Sequence, residues 1–264
     1  MDEAAAVGCA AIEWSRPWCS PWREPGQRVA RLAAAGVPLP EALNRVGAAP
    51  VRFVPAGALP QGEPYERFIF ERGCCPTREN LHDFFNGLCW LRLPRSKQRL
   101  NALQAGQIAN AGVGAERGPV RDAITVFDEN GALLQAPPDL WEALLAREWR
   151  RLFVELRPLW RQARLIVFGH ALLERLVLPR KEITAHVWAA DAALATMEEV
   201  DRWLVAQLTE ARLTGKPFTP LPLLGIPGWW PENQNFSFYD DSLVFRTARR
   251  KERNTTAPHP PARP

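Results

Sequence analysis

At 264 residues, with 47% apolar and 23% charged side chains, the chain has the make-up of a globular protein able to bury a substantial core. The formal charge of +4 is confined to the C-terminus: from Arg246 onward there are six basic side chains against one acid, and the remainder is close to neutral. That excludes a basic, nucleic-acid-binding body and leaves only the tail as a candidate for nucleic acid or an acidic surface. No apolar run is long enough to cross a bilayer. The acidic start, Met1-Asp2-Glu3, lacks the basic and apolar regions of a signal peptide, so a cytoplasmic protein without membrane contact is expected.

Five cysteines, odd in number and irregularly spaced, suit reduced thiols. Eleven tryptophans beside two tyrosines are unusual; indoles of that number stiffen core edges or line a cleft.

In chain order, residues 1–26 carry no clear period and read as an irregular N-terminal segment. Arg28–Ala35 and Pro40–Val46 read as short helices, and Val51–Val54 as a strand ended by Pro55. After Thr77, a plausible N-cap, Leu81, Phe84, Phe85, Leu88 and Leu91 recur at helical spacing until Pro94. Arg95–Ala109 reads as a second helix, and Gly112–Gly118 as a loop that does not fit a phosphate-binding turn.

Arg121–Phe127 has strand composition, and Asn130-Gly131 ahead of Ala132-Leu133-Leu134 predicts a hairpin. Asp139–Leu156 is expected to be helical, Arg164–Phe168 a buried strand, and His170–Leu178 a short helix after Gly169. Thr196 with Glu199 forms a capping box opening a helix to about Leu213. From Gly215 the chain is rich in Pro, Gly and aromatic residues, and residues 249–264 are expected to be disordered. The expected fold is α+β: one predominantly helical domain over residues 27–248 with a small antiparallel hairpin or sheet and a loop-rich C-terminal segment.

Candidate chemistry gathers around three histidines. His82, Asp83, Glu79 and Asn86 share one stripe of the helix after Asn80, opposite its apolar face. His170 opens a helix just after a strand, with Glu174 one turn later, a place where functional groups often sit. His186 lies sixteen residues on, in Thr184-Ala185-His186. Asp122, beside Arg121, is a further carboxylate, whereas Asp128 is expected to shape a turn. Cys74-Cys75 lacks the split spacing of a zinc site.

The motifs Pro76-Thr77-Arg78-Glu79-Asn80-Leu81-His82-Asp83-Phe84-Phe85-Asn86, Arg121-Asp122-Ala123 with Thr125 and Phe127-Asp128-Glu129, Gly169–Glu174 and Thr184-Ala185-His186 occur together, followed by Phe238-Tyr239-Asp240-Asp241. As a set they resemble an uncharacterised bacterial domain-of-unknown-function family over roughly residues 45–247. The resemblance implies one domain-sized unit and brings no activity.

Two functions follow from the residues. In one, the histidines and carboxylates form a buried polar network in a non-catalytic binding or interaction protein. In the other, His82, Asp83, His170 and His186 bind a divalent metal in a hydrolase, with Glu174 and Asp122 as catalytic carboxylates.

Overall fold

The structure, a computed structural model, describes residues 8–111, 118–191 and 193–247. The tail expected over 249–264, and the loop from Gly112 apart from Gly118, lie outside those residues.

Short 3-10 turns lead into α1 (Arg23–Ala34) and α2 (Leu39–Val46). A small βαβ unit follows: β1 (Arg52–Pro55), α3 (Tyr65–Arg72) and β2 (Cys74–Thr77), with the two strands paired in parallel. The long helices α4 (Leu81–Arg92) and α5 (Pro94–Ala111) come next, joined at Leu93, which is fully buried.

The expected strand at Arg121–Phe127 is instead helix α6 (Pro119–Asn130). Pro119 supplies a preset φ at the first turn, and Val120, Ala123, Ile124 and Phe127 are buried at helical spacing. A period of 3.6 outweighs β-branched composition here. The expected Asn130-Gly131 hairpin turn is absent, because Gly131 has φ −78° and ψ 153° and simply begins β3 (Gly131–Gln135). A primed turn needs positive φ at both central residues.

After α7 (Pro138–Leu145), Arg147 takes a left-handed φ of 54° and breaks the helix expected through Leu156; a π turn over Arg151–Glu155 follows. Then come β4 (Arg164–Val167), α8 (His170–Arg175), β5 (Thr184–Ala189), α9 (Met197–Gln207), α10 (Glu210–Thr214) and β6 (Thr219–Pro222). The Thr196–Glu199 capping box opens α9 with both reciprocal hydrogen bonds in place.

The main sheet is mixed, in the order β4-β3-β5-β6. β3 pairs parallel with β5, while β4 and β6 are antiparallel edges. The protein is α+β. Phe127, Phe168, Trp188 and Phe218 form one ring cluster between α6 and this sheet, with Phe127 and Phe168 stacked at 4.7 Å.

The C-terminal segment is held by its own side chains. Asn233 is fully buried and donates to the Leu224 and Ile226 carbonyls, and Tyr239 donates to the Gly225 carbonyl while stacking on Phe153. Among the described residues no helix is long and apolar enough to cross a membrane.

Candidate functional site

α4 is started by Asn80, not Thr77: Asn80 is extended, and its Oδ1 accepts from the Asp83 N–H at 2.8 Å. Phe84, Phe85 and Leu88 anchor the helix in the core, which turns His82 and Asn86 toward a cavity. Asp83 is buried and fully engaged. It accepts from the Arg78 backbone N–H at 2.6 Å and, at both oxygens, from the Arg78 guanidinium at 2.8 and 3.1 Å. Asp83 therefore fixes the β2–α4 corner.

Opposite α4 stands α8. It enters the site through Gly169, which lies against the last turn of α6 and donates to the Gly131 carbonyl at 2.8 Å. This contact delivers His170 to both α4 and α6. His170 Nε2 lies 3.1 Å from His82 Nε2, with the rings edge-on at 82°. His82 Nδ1 lies 3.0 Å from Glu174 Oε2. On the inner side, His170 Nδ1 is 3.8 Å from Asp128 Oδ2, and Asp128 Oδ1 accepts from Lys97 Nζ at 2.5 Å.

Five side chains from α4, α5, α6 and α8 thus form one line: Glu174, His82, His170, Asp128, Lys97. The outer members are partly open, with Glu174 38% and His82 31% exposed, whereas His170 is 8% and Lys97 5% exposed. Lys97 is aimed by the first turn of α5. Asp201 of α9 caps that turn, accepting from the Arg95 and Ser96 N–H groups and the Ser96 hydroxyl.

Burial and charge set the protonation of the inner groups. Desolvation pushes the His170 imidazole down to about 4, against the opposing pull of the Asp128 carboxylate. Burial alone would raise Asp128, but the Lys97 ammonium and the facing imidazoles outweigh it and hold the carboxyl below its usual range. Burial lowers His186 as well.

The hydrogen-bond roles follow. Glu174 can only accept from His82 Nδ1–H. With one proton on each ring, His82 Nε2 is then an acceptor and His170 Nε2–H donates to it. In that arrangement His170 Nδ1 holds the remaining lone pair and faces the Asp128 carboxylate and backbone, with no hydrogen bond of good geometry among the described residues.

The line borders a cavity of about 420 Å³. Tyr65, Asn86 and Asn101 also line it. Asn86 Nδ2 donates to the Tyr65 hydroxyl at 3.2 Å, and that hydroxyl meets Cys75 Sγ at 3.2 Å. Burial raises the Tyr65 phenol well above its ordinary value and the Cys75 thiol to about 11, so both are protonated at neutral pH. Asn86 is 7% exposed, and its Oδ1 is a buried acceptor with no donor among the described residues.

Of the residues singled out in the sequence, His82, His170 and Glu174 come together, and Asp83 sits beside them with its oxygens already used. His186 stands on β5, in register with Gly131 and Pro220, and does not line the cavity. Asp122 pairs with Lys216 at a partly exposed surface, also away from the cavity. Among the described residues, no group of three or more His, Cys, Asp or Glu side chains is placed to hold a metal ion.

Sequence reading missed Asp128 and Lys97. Asp128 was assigned to a turn that does not form. Lys97 gives no periodic signal, and since a lysine is rarely buried unless paired, nothing marks it until its partner Asp128 is known.

The sequence profile of the family described as "Protein of unknown function (DUF3025)" matches residues 51–249, and the chain belongs to that family. Every residue of the Glu174–Lys97 line falls inside the matched span. No curated protein and no solved structure matches the chain.

Proposed function

We propose that the cavity is an acid–base site at which the histidine pair takes a proton from, or returns it to, a small polar molecule. The supporting observation is the 3.1 Å contact between His82 and His170 at the cavity wall, with Glu174 at the outer end of the pair and Asp128 at the inner end.

Burial makes His170 a poor site for positive charge, since its pKa is held to about 4. The pair removes that difficulty. As a proton arrives at His170 Nδ1, the Nε2 proton passes to His82 Nε2, and the charge settles on the ring beside Glu174. His82 and Glu174 are both partly exposed, so the proton can exchange with bulk water. The Asp128 carboxylate, 3.8 Å away, favours the new Nδ1–H by its charge, and Lys97 keeps Asp128 ionised.

A metal-assisted reaction has less support, because only His82 and His170 of the expected ligands converge. The structural elements of the expected polar network are present too, in Asp83–Arg78 and Asp201–Ser96, but those groups are saturated where His170 Nδ1 is not. That contrast favours chemistry or ligand binding at the histidine pair over a purely structural role.

The test incubates wild-type protein and a His170→Asn variant of confirmed fold with a small-molecule cell extract, followed by mass spectrometry. Depletion of at least one polar component by wild type alone is expected. Equal profiles for the two proteins would reduce the cavity to a binding or structural feature.

A further inference from the structure

The charges and free acceptors of this cavity specify its ligand, on the reading that the cavity is a ligand site at all. Two cations line it, and each already has its own carboxylate: Arg78 is bound by Asp83, and Lys97 by Asp128. Glu66 and Glu129 also line the wall, and no hydrogen bond or ion pair engages either carboxylate among the described residues. The wall therefore carries two unmatched negative charges, and Glu174 adds a third just outside it.

The polar atoms left free point the same way. Asn86 Oδ1 is a buried acceptor with no donor among the described residues. Asp128 Oδ2 has no hydrogen bond among the described residues and faces His170 Nδ1 across 3.8 Å. An anionic ligand would meet carboxylates and lone pairs instead of donors. Between the polar groups, Leu59, Ile69, Leu100 and Ile124 offer apolar contact suited to a short methylene stem.

We infer that the cavity takes a small cation rich in N–H groups, an aliphatic amine or a guanidine, seated between the Glu66–Glu129 carboxylates and Asp128 Oδ2. At about 420 Å³ the space fits a molecule of that size.

Thermal melts and titration calorimetry with putrescine and agmatine as probes test this, against 1,4-butanediol as a neutral analogue and citrate as an anion at matched ionic strength. Each cation is expected to raise the melting temperature by about 2–3 °C at roughly ten times its dissociation constant. Butanediol and citrate are expected to leave it unchanged. A Glu66→Gln/Glu129→Gln double variant, its fold checked by circular dichroism, should bind the cations at least about tenfold more weakly. The assignment is overturned if neither cation binds, if butanediol or citrate matches them, or if the double variant binds as tightly as wild type. The extract assay with His170→Asn does not depend on these probes, so failure of the cation assignment is distinguishable from failure of the acid–base reading.

Discussion

A methyl group built on Gly169 would lie 2.3 Å from the backbone oxygen of Glu129, so α8 and the end of α6 touch through bare backbone. That approach is what sets His170 beside Asp128. It is a steric requirement for glycine at ordinary φ, since Gly169 has φ −62°. Gly169→Ala is therefore expected to push the two helices apart and to cost about 1–3 kcal/mol in urea unfolding. Unchanged stability would show that the contact is slack.

The depressed His170 pKa carries a pH signature. A histidine neutral in the fold and near 6.5 when unfolded stabilises fully above 6.5, and the contribution is lost as pH falls toward about 4. Asp128, whose carboxyl is held below its usual range by Lys97, loses its contribution only as pH falls further. Stability should thus fall by about 3 kcal/mol between pH 6.5 and 4 from His170 alone. Urea melts across that range should show a shallower slope for His170→Asn, and equal slopes would remove His170 as the source.

The relay makes a prediction about tautomers. With one proton per ring, long-range nitrogen–proton NMR should find His82 protonated at Nδ1 and His170 at Nε2. His82→Gln should remove the acceptor that holds the His170 Nε2 proton. In that variant His170 is expected to shift toward the Nδ1–H form facing Asp128. A His170 spectrum identical in wild type and variant would mean that the rings do not share a hydrogen.

Asp201→Asn tests the support behind Lys97. The carboxylate accepts from two backbone N–H groups and a hydroxyl at the start of α5. An amide can replace only part of that set, so a loss of about 1–3 kcal/mol is expected, measured by chemical denaturation. A neutral outcome would show that the α5 turn holds itself.

Much of this arrangement was readable in the residues. Helix α4 announced itself through Leu81, Phe84, Phe85 and Leu88, and the capping box of α9 was explicit in Thr196 and Glu199. The meeting of His82, His170 and Glu174 was a guess that local pattern could raise but not decide, because 88 residues separate the two rings. The α6 segment misled through its composition: Ile124, Thr125, Val126 and Phe127 favour strands one by one, yet their burial follows a helix begun by Pro119. Once that segment was taken as a strand, Asp128 became a turn residue and its lysine partner on α5 had no reason to be sought. Asp122 and His186 failed for the opposite reason. Each sits in a well-patterned stretch, but helix phase puts Asp122 near Lys216 and strand position puts His186 between β3 and β6.

The cavity lies along a seam in the molecule. One bank, with Tyr65 and Glu66, belongs to the small β1-α3-β2 unit; the other, with Asp128 and His170, is built on the elements flanking the four-stranded sheet. A guest gripping both banks would act as a rivet between early and late parts of the polypeptide. Its arrival should slow amide hydrogen exchange in β2 and β3 together, two strands that share no hydrogen bond.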